Sequence, residues 1–212
     1  MDRIDSRPQI VRLPDVAIPK KQVIRRLGYP SESEINGDAY QIFAEELDRA
    51  PSLLEPVGVY CLLEVASKNE ERMTFHDSDF VIQSKQVVKL LRDSNPVVLF
   101  MVTIGPGLED EVNWLFQKDD MARGFILDAI GSETADAVAD RMHHQVLKRL
   151  SEERRFSITP RFSPGYGDWP VTVQKDFLKT CGGASIGITV NDSFLMTPRK
   201  SVSAVLGWVK RC

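Results

Sequence analysis

The sequence has 212 residues, of which 42% are hydrophobic and 27% are charged, and its formal net charge at pH 7 is −3. These values are typical of one soluble globular unit, so we treat residues 1–212 as a single domain. The acidic balance argues against nucleic acid and against an anionic membrane as partners.

Neither the cysteines nor the N-terminus indicates an exported protein. The chain has three cysteines without Cys-x-x-Cys spacing, which argues against a disulfide framework and against a zinc site. Cys61 lies in an apolar run and is predicted to be buried. Residues 1–5 lack the apolar core of a secretory signal, and no apolar run approaches the length that spans a bilayer. We therefore expect a cytoplasmic protein.

The N-terminal part is predicted to be an arm followed by two helices. Residues 1–18 contain two prolines, which favour an extended arm that lies on the body of the domain. Pro19 opens a short helical pattern that stops at Gly28-Tyr29-Pro30. A second helix is predicted over Ala39–Ala50, and Pro51 is expected to end it.

Strand patterns dominate the next part of the chain. The apolar run Val57–Val65 predicts a buried strand, and residues 73–82 predict a hairpin around the polar turn His76–Asp79. Ser84 is a candidate N-cap for a short helix. The run Val97–Ile104 is the most strand-like in the sequence.

The glycine-containing turn 105–107 leads from this strand into a helix and invites a phosphate-site interpretation, because helix N-termini attract anions. Three acidic residues, Glu109, Asp110 and Glu111, occupy the first turn of that helix. They would repel a phosphate, so we do not predict a phosphate site.

The longest predicted helix runs from Asp119 or Phe125 to Glu152, with a possible break at Gly131-Ser132. Apolar residues at helical spacing form its buried stripe. The opposite side carries two carboxylates and two imidazoles: Asp136, Asp140, His143 and His144. An exposed helix face explains this mixture better than a metal site does, so we predict no metal and surface positions for the histidines.

The segment Arg161–Pro170 is predicted to be a shaped loop, because its two prolines lack amide donors and its two glycines allow unusual backbone angles. Such a loop can display Arg161, Tyr166, Asp168 and Trp169 in one arrangement. Two interpretations stay open, a binding loop and a structural turn that buries Trp169.

The C-terminal part predicts a short helix closed by Gly182-Gly183, a half-buried strand over Ile186–Val190, a hairpin turn at Asn191-Asp192 and a final strand over Ser201–Val209. Helices and strands intermix without a regular βαβ repeat. The predicted fold is therefore α+β, with a twisted, largely antiparallel sheet and packed helices.

The loop Arg161–Pro170 resembles the Arg-Pro-Ala-Pro-Gly-Tyr-Pro-x-x-Pro signature of the activation, or reactivation, domain of cobalamin-dependent methionine synthase. Ile186–Pro198 is similar to that family's Gly-x-x-Leu-Thr-Glu-Ser-x-Ala-Met-x-Pro, and Ser201–Ser203 matches its Ser-Val-Ser. The helix segment Ala135–Asp140 looks like its Ala-Glu-Ala-x-Ala-Glu. These matches make 125–209 the activation-domain-like region.

Residues 1–120 form an N-terminal α/β part without a clear match. The resemblance implies a twisted antiparallel sheet with packed helices, in agreement with the patterns above. The chain itself contains no Gly-x-Ser-x-Gly, no P-loop and no cysteine with an evident histidine partner, so we predict no catalytic residues.

The resemblance implies that the domain binds S-adenosylmethionine and presents its methyl group to the cobalt of cobalamin during reductive remethylation. The cobalamin would be carried by a separate corrinoid protein or by a methionine synthase that lacks its own activation domain. An electron donor such as flavodoxin or ferredoxin would act first. The chain would then be a stand-alone accessory component of the methyltransferase reaction in methionine biosynthesis.

The resemblance also implies roles for particular residues. Arg161 would bind the ligand carboxylate, and Asp136 would lie near its amino group. Ser163, Pro164 and Gly165 would contact the ligand through the main chain. The residues that would face the corrin are Tyr166 and Gly167.

Two departures from the family pattern support an alternative. No counterpart of the family's N-terminal acidic contact is recognisable in residues 1–50, and the chain ends at Cys212, before the aromatic contact that follows the Ser-Val-Ser strand. The alternative function is a non-catalytic docking protein for a corrinoid protein that has lost S-adenosylmethionine binding.

Overall fold

The centre of the structure is one fully buried strand, as its uninterrupted apolar sequence predicts. A computed structural model describes residues 5–14, 16–153 and 155–211, with only the backbone of Val146. All seven residues of Val97–Thr103 are buried. The first four residues of the predicted arm lie outside the described residues.

The strands, in chain order, are β1 (Gln9–Arg12), β2 (Val57–Leu63), β3 (Val65–Lys68), β4 (Arg72–Phe75), β5 (Ser78–Gln83), β6 (Val97–Thr103), β7 (Phe156–Ile158), β8 (Thr189–Val190), β9 (Met196–Thr197) and β10 (Ser201–Lys210). The α-helices are α1 (Lys20–Arg26), α2 (Gly37–Arg49), α3 (Lys85–Leu91), α4 (Gly107–Gln117), α5 (Met121–Arg141), α6 (Lys148–Glu153) and α7 (Gln174–Cys181). Short 3₁₀ helices cover Glu32–Glu34, Ala50–Leu53, Val171–Val173 and Gly183–Ile186, and a π-helical stretch, Met142–Leu147, joins α5 to α6.

The main sheet has five strands in the order β1-β2-β6-β10-β7, and every neighbouring pair is antiparallel. The central strand β6 pairs along its whole length with β2 on one side and β10 on the other. A separate three-stranded sheet has the order β3-β4-β5, and β8 and β9 form a short hairpin. The α+β fold with a largely antiparallel sheet is therefore confirmed.

Each face of the main sheet carries its own hydrophobic core. Because side chains alternate along a strand, Phe100 and its alternate neighbours contact α1, α2, α4 and α5. Leu99 and its alternate neighbours, together with the predicted core residue Cys61, contact the three-stranded sheet, α3 and α7. In the described part of the chain, no helix is both long and apolar enough to cross a bilayer.

Local signals predicted several elements correctly. The hydroxyl of Ser84 accepts a hydrogen bond from the Val87 amide at 3.0 Å and so caps α3. The β4–β5 hairpin forms, but its turn is shorter than predicted, because pairing resumes at Ser78 opposite Phe75. Pro51 does not stop the second helix abruptly, since a proline suits the first turn of the 3₁₀ helix that continues from α2.

The predicted break at Gly131-Ser132 is wrong. The helix continues to Arg141, and the Ser132 hydroxyl donates back to the carbonyl of Asp128 at 3.0 Å. Gly131 instead lets α4 approach, because a Cβ atom there would lie 2.4 Å from the Cδ2 atom of Leu108. The irregularity of this helix lies about three turns later, in the π-helical stretch.

The predicted strand Ile186–Val190 is also largely wrong. Residues 183–186 form a 3₁₀ helix, and Gly187 has a φ of +79°, which is incompatible with a regular strand. Only Thr189–Val190 is extended. The predicted strand Val57–Val65 divides at Glu64, because Val65 already belongs to β3.

Candidate functional site

The loop Arg161–Pro170 is anchored to the protein by its second half. Trp169 is 1% exposed, and its ring packs between those of Phe162 and Phe177, with centroid distances of 6.4 and 6.1 Å. The carboxylate of Asp168 accepts hydrogen bonds from the Ser84 hydroxyl and, at 2.7 Å, from the Lys85 amide. These contacts tie the loop to the N-terminus of α3.

Asp168 and Trp169 are therefore structural, and the prediction that the loop displays them beside Arg161 and Tyr166 is wrong. The hydrogen bond from Ser84 is the main reason why the pKa of the Asp168 carboxyl lies below its usual range, and the Lys85 amide acts in the same direction. The negative charge is also favourable at a helix N-terminus.

A turn separates the two halves of the loop. Gly165 has a φ of +91°, and its amide donates to the carbonyl of Trp169 at 2.8 Å. Gly167 has a φ of +56° and lies against the side chain of Gln86. Positive φ angles at both positions explain why glycine occurs there.

The first half of the loop borders a cavity of about 600 Å³, a volume within the range of small-molecule sites. The other borders are the β8–β9 hairpin, the start of α7 and the start of β10. The cavity is lined by Asp136, Arg161, Phe162, Ser163, Pro164, Tyr166, Val171, Gln174, Phe194, Leu195, Met196, Arg199, Ser201, Val202 and Ser203.

Most of the residues predicted to bind ligand or corrin lie together around this cavity. The five that line it are Asp136, Arg161, Ser163, Pro164 and Tyr166. Gly165 and Gly167 do not line it. They flank Tyr166, which lines the cavity, and their positive φ angles shape the loop at that point.

One end of the cavity is charged. The Arg161 guanidinium is mostly buried, and its Nη1 atom lies 2.5 Å from Oδ1 of Asp140. Asp136 lies one helical turn before Asp140 on α5. Partial burial raises the pKa of the Asp136 carboxyl, and the positive charge of Arg161 acts in the opposite direction. This end can therefore offer a cation and an anion to a zwitterionic group.

His143 lies behind the charged end and is buried, so its predicted surface position is wrong. Its Nε2 atom is 3.1 Å from the carbonyl oxygen of Thr159. Burial lowers the pKa of the imidazole, which favours the neutral ring. The residue lies in the π-helical stretch, whose wider turn departs from the helical spacing on which the surface prediction was based.

The floor of the cavity is polar but uncharged. Gln174 is 3% exposed and Ser203 is 4% exposed. The Gln174 amide nitrogen donates to the Ser203 hydroxyl at 2.8 Å, and that hydroxyl is 3.1 Å from the Gln174 carbonyl oxygen. This pair links α7 to β10. Sequence reasoning missed it, although the polar Ser201-x-Ser203 at the start of an otherwise apolar strand was a usable signal.

The mouth of the cavity exposes large apolar side chains. Tyr166 is 70% exposed, Leu195 is 57% exposed and Val171 is 39% exposed. Phe194 has a φ of +62°, and the Lys175 ammonium lies 5.3 Å from the centre of its ring. Exposed apolar groups around a cavity are typical of a surface that meets a partner. The site therefore combines a cavity with exposed apolar side chains at its mouth.

The arrangement is suited to binding. Within the ranges 5–14, 16–153 and 155–211, no group of three or more histidine, cysteine, aspartate or glutamate side chains could hold a metal ion. The cavity lining contains neither a cysteine nor a histidine, and its serines lie beside no imidazole. The guanidinium, carboxylate and hydroxyl groups of the lining can bind and orient a ligand.

Comparison with known proteins shows what this chain is similar to. A family model described as vitamin B12 dependent methionine synthase, activation domain, matches residues 27–210. The match begins far upstream of the motifs in the loop and the last strands. A crystal structure of the MetH reactivation domain bound to AdoHcy has the same fold, with a TM-score of 0.69 and 16% sequence identity. The alignment covers 96% of this chain and 79% of that one.

Proposed function

The chain belongs to the family of vitamin B12-dependent methionine synthase activation domains, and from this we propose that it binds S-adenosylmethionine and presents the methyl group to a cobalamin carried by another protein. The observation that carries the proposal is the cavity, where Asp136 of α5 meets Arg161 and Tyr166 of the loop. The similar reactivation domain was crystallised with AdoHcy, the demethylated form of S-adenosylmethionine, which supports this ligand class.

Arg161 and Asp136 are suited to the amino acid end of the ligand. A guanidinium can donate two parallel hydrogen bonds to a carboxylate, and only one of its nitrogen atoms contacts Asp140. The charge of Arg161 acts on the pKa of the Asp136 carboxyl, so the two side chains are close enough to bind the two ends of one zwitterionic group. The Asp136 carboxylate would balance the positive charge of the ligand's ammonium group. Ser163 and Pro164 border the same end and offer main-chain contacts.

This chain's contribution to methyl transfer is orientation. The cobalt of the partner's cobalamin supplies the nucleophile, so no general base is needed here. The cavity would hold S-adenosylmethionine in one orientation. The methyl group would then already be positioned for the cobalt when the partner docks. An electron donor such as flavodoxin or ferredoxin would first reduce the inactive cofactor. We place this cycle in the cytoplasm, within methionine biosynthesis.

The apolar mouth of the cavity supports docking of the corrinoid partner. Tyr166 extends into solvent from the loop, and Leu195 extends from the facing hairpin. A flat tyrosine ring can cover an apolar cofactor face while its hydroxyl stays in water. The partner would be a separate corrinoid protein or a methionine synthase without its own activation domain.

Calorimetric titration with S-adenosylmethionine tests the ligand. We expect saturable binding to the unmodified protein and roughly ten- to a hundredfold weaker binding to Arg161→Ala, because a buried charge-assisted hydrogen bond is lost. Arg149→Ala is the control, since Arg149 also pairs with a single carboxylate, that of Glu153, but does not line the cavity. Absence of binding, or equal binding by both variants, would contradict the proposal.

The exposed mouth favours a second candidate function, in which the protein docks on a corrinoid protein without binding S-adenosylmethionine. The two candidates differ in their dependence on the charged end. Docking alone would leave complex formation intact in Arg161→Ala and independent of added S-adenosylmethionine, whereas Tyr166→Ala would weaken it. Analytical ultracentrifugation of the pair, with and without the small molecule, distinguishes the two.

A further inference from the structure

The strand β1 forms one edge of the main sheet, and within residues 5–14, 16–153 and 155–211 it pairs with β2 alone. Just beyond the strand, the amide of Leu13 donates to the carbonyl of Pro56 at 3.1 Å and continues the antiparallel register. Main-chain groups alternate in direction along a strand, so those of odd-numbered residues point towards β2. The amides and carbonyls of Ile10 and Arg12 therefore point outward.

This outer edge is open. In the described part of the chain, no hydrogen bond reaches the outward amides and carbonyls of Ile10 and Arg12. Both residues are exposed, and the side chain of Ile10 is 56% exposed. Unpaired main-chain groups at a sheet edge are a template for pairing with another strand. The edge of β1 thus offers two amides and two carbonyls to such a strand.

Two prolines limit the open edge symmetrically. Pro8 and Pro14 lie three residues before and three residues after Val11, and neither has an amide hydrogen. An added strand therefore finds amides at Ile10 and Arg12 only. A second copy of β1 that runs antiparallel about a twofold axis at Val11 places Pro8 opposite Pro14 at both ends. No amide donor is then left facing a proline.

The side chains favour the same register. With the axis at Val11, each Ile10 lies opposite Arg12 of the second copy and packs on the apolar stem of that arginine. An axis at Arg12 would instead place the two arginines opposite each other, which is unfavourable. An axis at Ile10 would place Arg12 opposite Pro8 and leave the Arg12 carbonyl without a donor. Of the three registers, the one centred on Val11 satisfies both the charges and the hydrogen bonds.

We propose that β1 is a self-association surface, through which two copies of this chain join their main sheets edge to edge, with Ile10 of each opposite Arg12 of the other. A twofold contact of this kind closes on itself, and the flanking prolines keep the ladder short. β1 contributes no residue to the cavity, and β2 and β6 lie between β1 and β10. The inference therefore does not depend on the proposed function.

Charged substitutions at Ile10 test the register. Sedimentation equilibrium of the full chain over a series of concentrations measures the dissociation constant of the dimer. Ile10→Lys would repel Arg12 of the second copy, whereas Ile10→Glu would form an ion pair with it, and each contact occurs twice. We expect the dimer of Ile10→Glu to be roughly tenfold tighter than that of Ile10→Lys. Combining each substitution with Arg12→Ala should abolish this difference.

Met121→Lys is the control, because Met121 is 47% exposed but lies on α5. Its dissociation constant should equal that of the unmodified protein. Amide hydrogen exchange locates the contact: exchange at Ile10 and Arg12 should slow as the protein concentration rises, whereas exchange at Val11, whose amide points towards β2, should not change.

Three results would overturn the self-association surface. They are an unmodified protein that stays monomeric at high concentration, equal dissociation constants for Ile10→Glu and Ile10→Lys, and a dimer in which exchange at Ile10 and Arg12 is unchanged. None of them bears on S-adenosylmethionine binding, which is measured separately by calorimetry, so failure of this inference and failure of the proposed function are distinguishable.

Discussion

The two halves of the ten-residue loop Arg161–Pro170 differ in their surroundings, because one borders the cavity and the other is anchored to the protein. The first half opens onto the cavity with Arg161 and ends in the exposed ring of Tyr166. The second half buries Trp169 and fixes Asp168 to the start of α3. The buried second half therefore holds in place the first half, which borders the cavity, and not all of the residues most distinctive in sequence line that cavity.

The same contrast separates two aspartates. Asp168 is stabilised in its charged form by hydrogen bonds from Ser84 and Lys85, so ionisation of this carboxyl favours the folded state. Asp136 borders the cavity, where partial burial disfavours its charge. One carboxylate therefore contributes to stability, and the other opposes it. If Asp136 binds a ligand as we propose, its unfavourable charge is retained for binding at a cost in stability.

The largest effect on stability should come from removing Trp169, the buried side chain that anchors the loop. Trp169→Ala leaves a cavity between Phe162 and Phe177, and we expect the free energy of unfolding to fall by about 3–5 kcal/mol. Urea denaturation measures this change. Tyr166→Ala is the control from the other half of the loop and should alter stability by less than about 0.5 kcal/mol. Similar losses in the two variants would remove the distinction between the halves.

A smaller loss is expected for Asp168→Asn, which keeps the size of the side chain but removes its charge at the N-terminus of α3. Because the folded state lowers the pKa of this carboxyl, its stabilisation is present above the ordinary value of 3.8 and is lost as pH falls below it. Unfolding curves of variant and unmodified protein should therefore differ at pH 7 and converge in acid. A difference that persists in acid would contradict the charge-based explanation.

The smallest effect should have the opposite sign. Partial burial raises the pKa of Asp136 in the folded protein, so its charge opposes folding above that pKa, and the penalty vanishes as pH falls below the ordinary value of 3.8. Asp136→Asn should raise the free energy of unfolding at pH 7 by at most about 0.5 kcal/mol, because the group is partly solvated. The same variant should bind S-adenosylmethionine more weakly. Lower stability at pH 7 would show that attraction to Arg161 dominates.

Much of the fold could be predicted because its signals are local. The apolar run of β6 and the cap at Ser84 depend only on neighbouring residues. The errors occurred where tertiary contacts decide. Gly131 permits the approach of Leu108, and His143 is buried through a π-helical turn that no spacing rule reveals.

The candidate site could be predicted in part for a similar reason. Arg161 and Tyr166 belong to a continuous motif and were identified from it. Gln174 was missed, because its hydrogen bonds with Ser203 exist only once α7 packs against β10. The role of Asp168 was missed because its partner Ser84 is 84 residues away in the chain. Motifs reveal which residues matter, whereas packing decides what each of them does.

The alternation along β10 also limits how this protein can vary in length. The main-chain amides and carbonyls of even-numbered residues point towards β6. Those of odd-numbered residues point to the other side, where the cavity and Phe162 lie. An insertion or deletion of one residue between Ser201 and Val205 would exchange these assignments for every residue beyond it. The turn at residues 191–194 lies outside this register and can absorb such changes. The strand therefore tolerates substitution far better than a change in length.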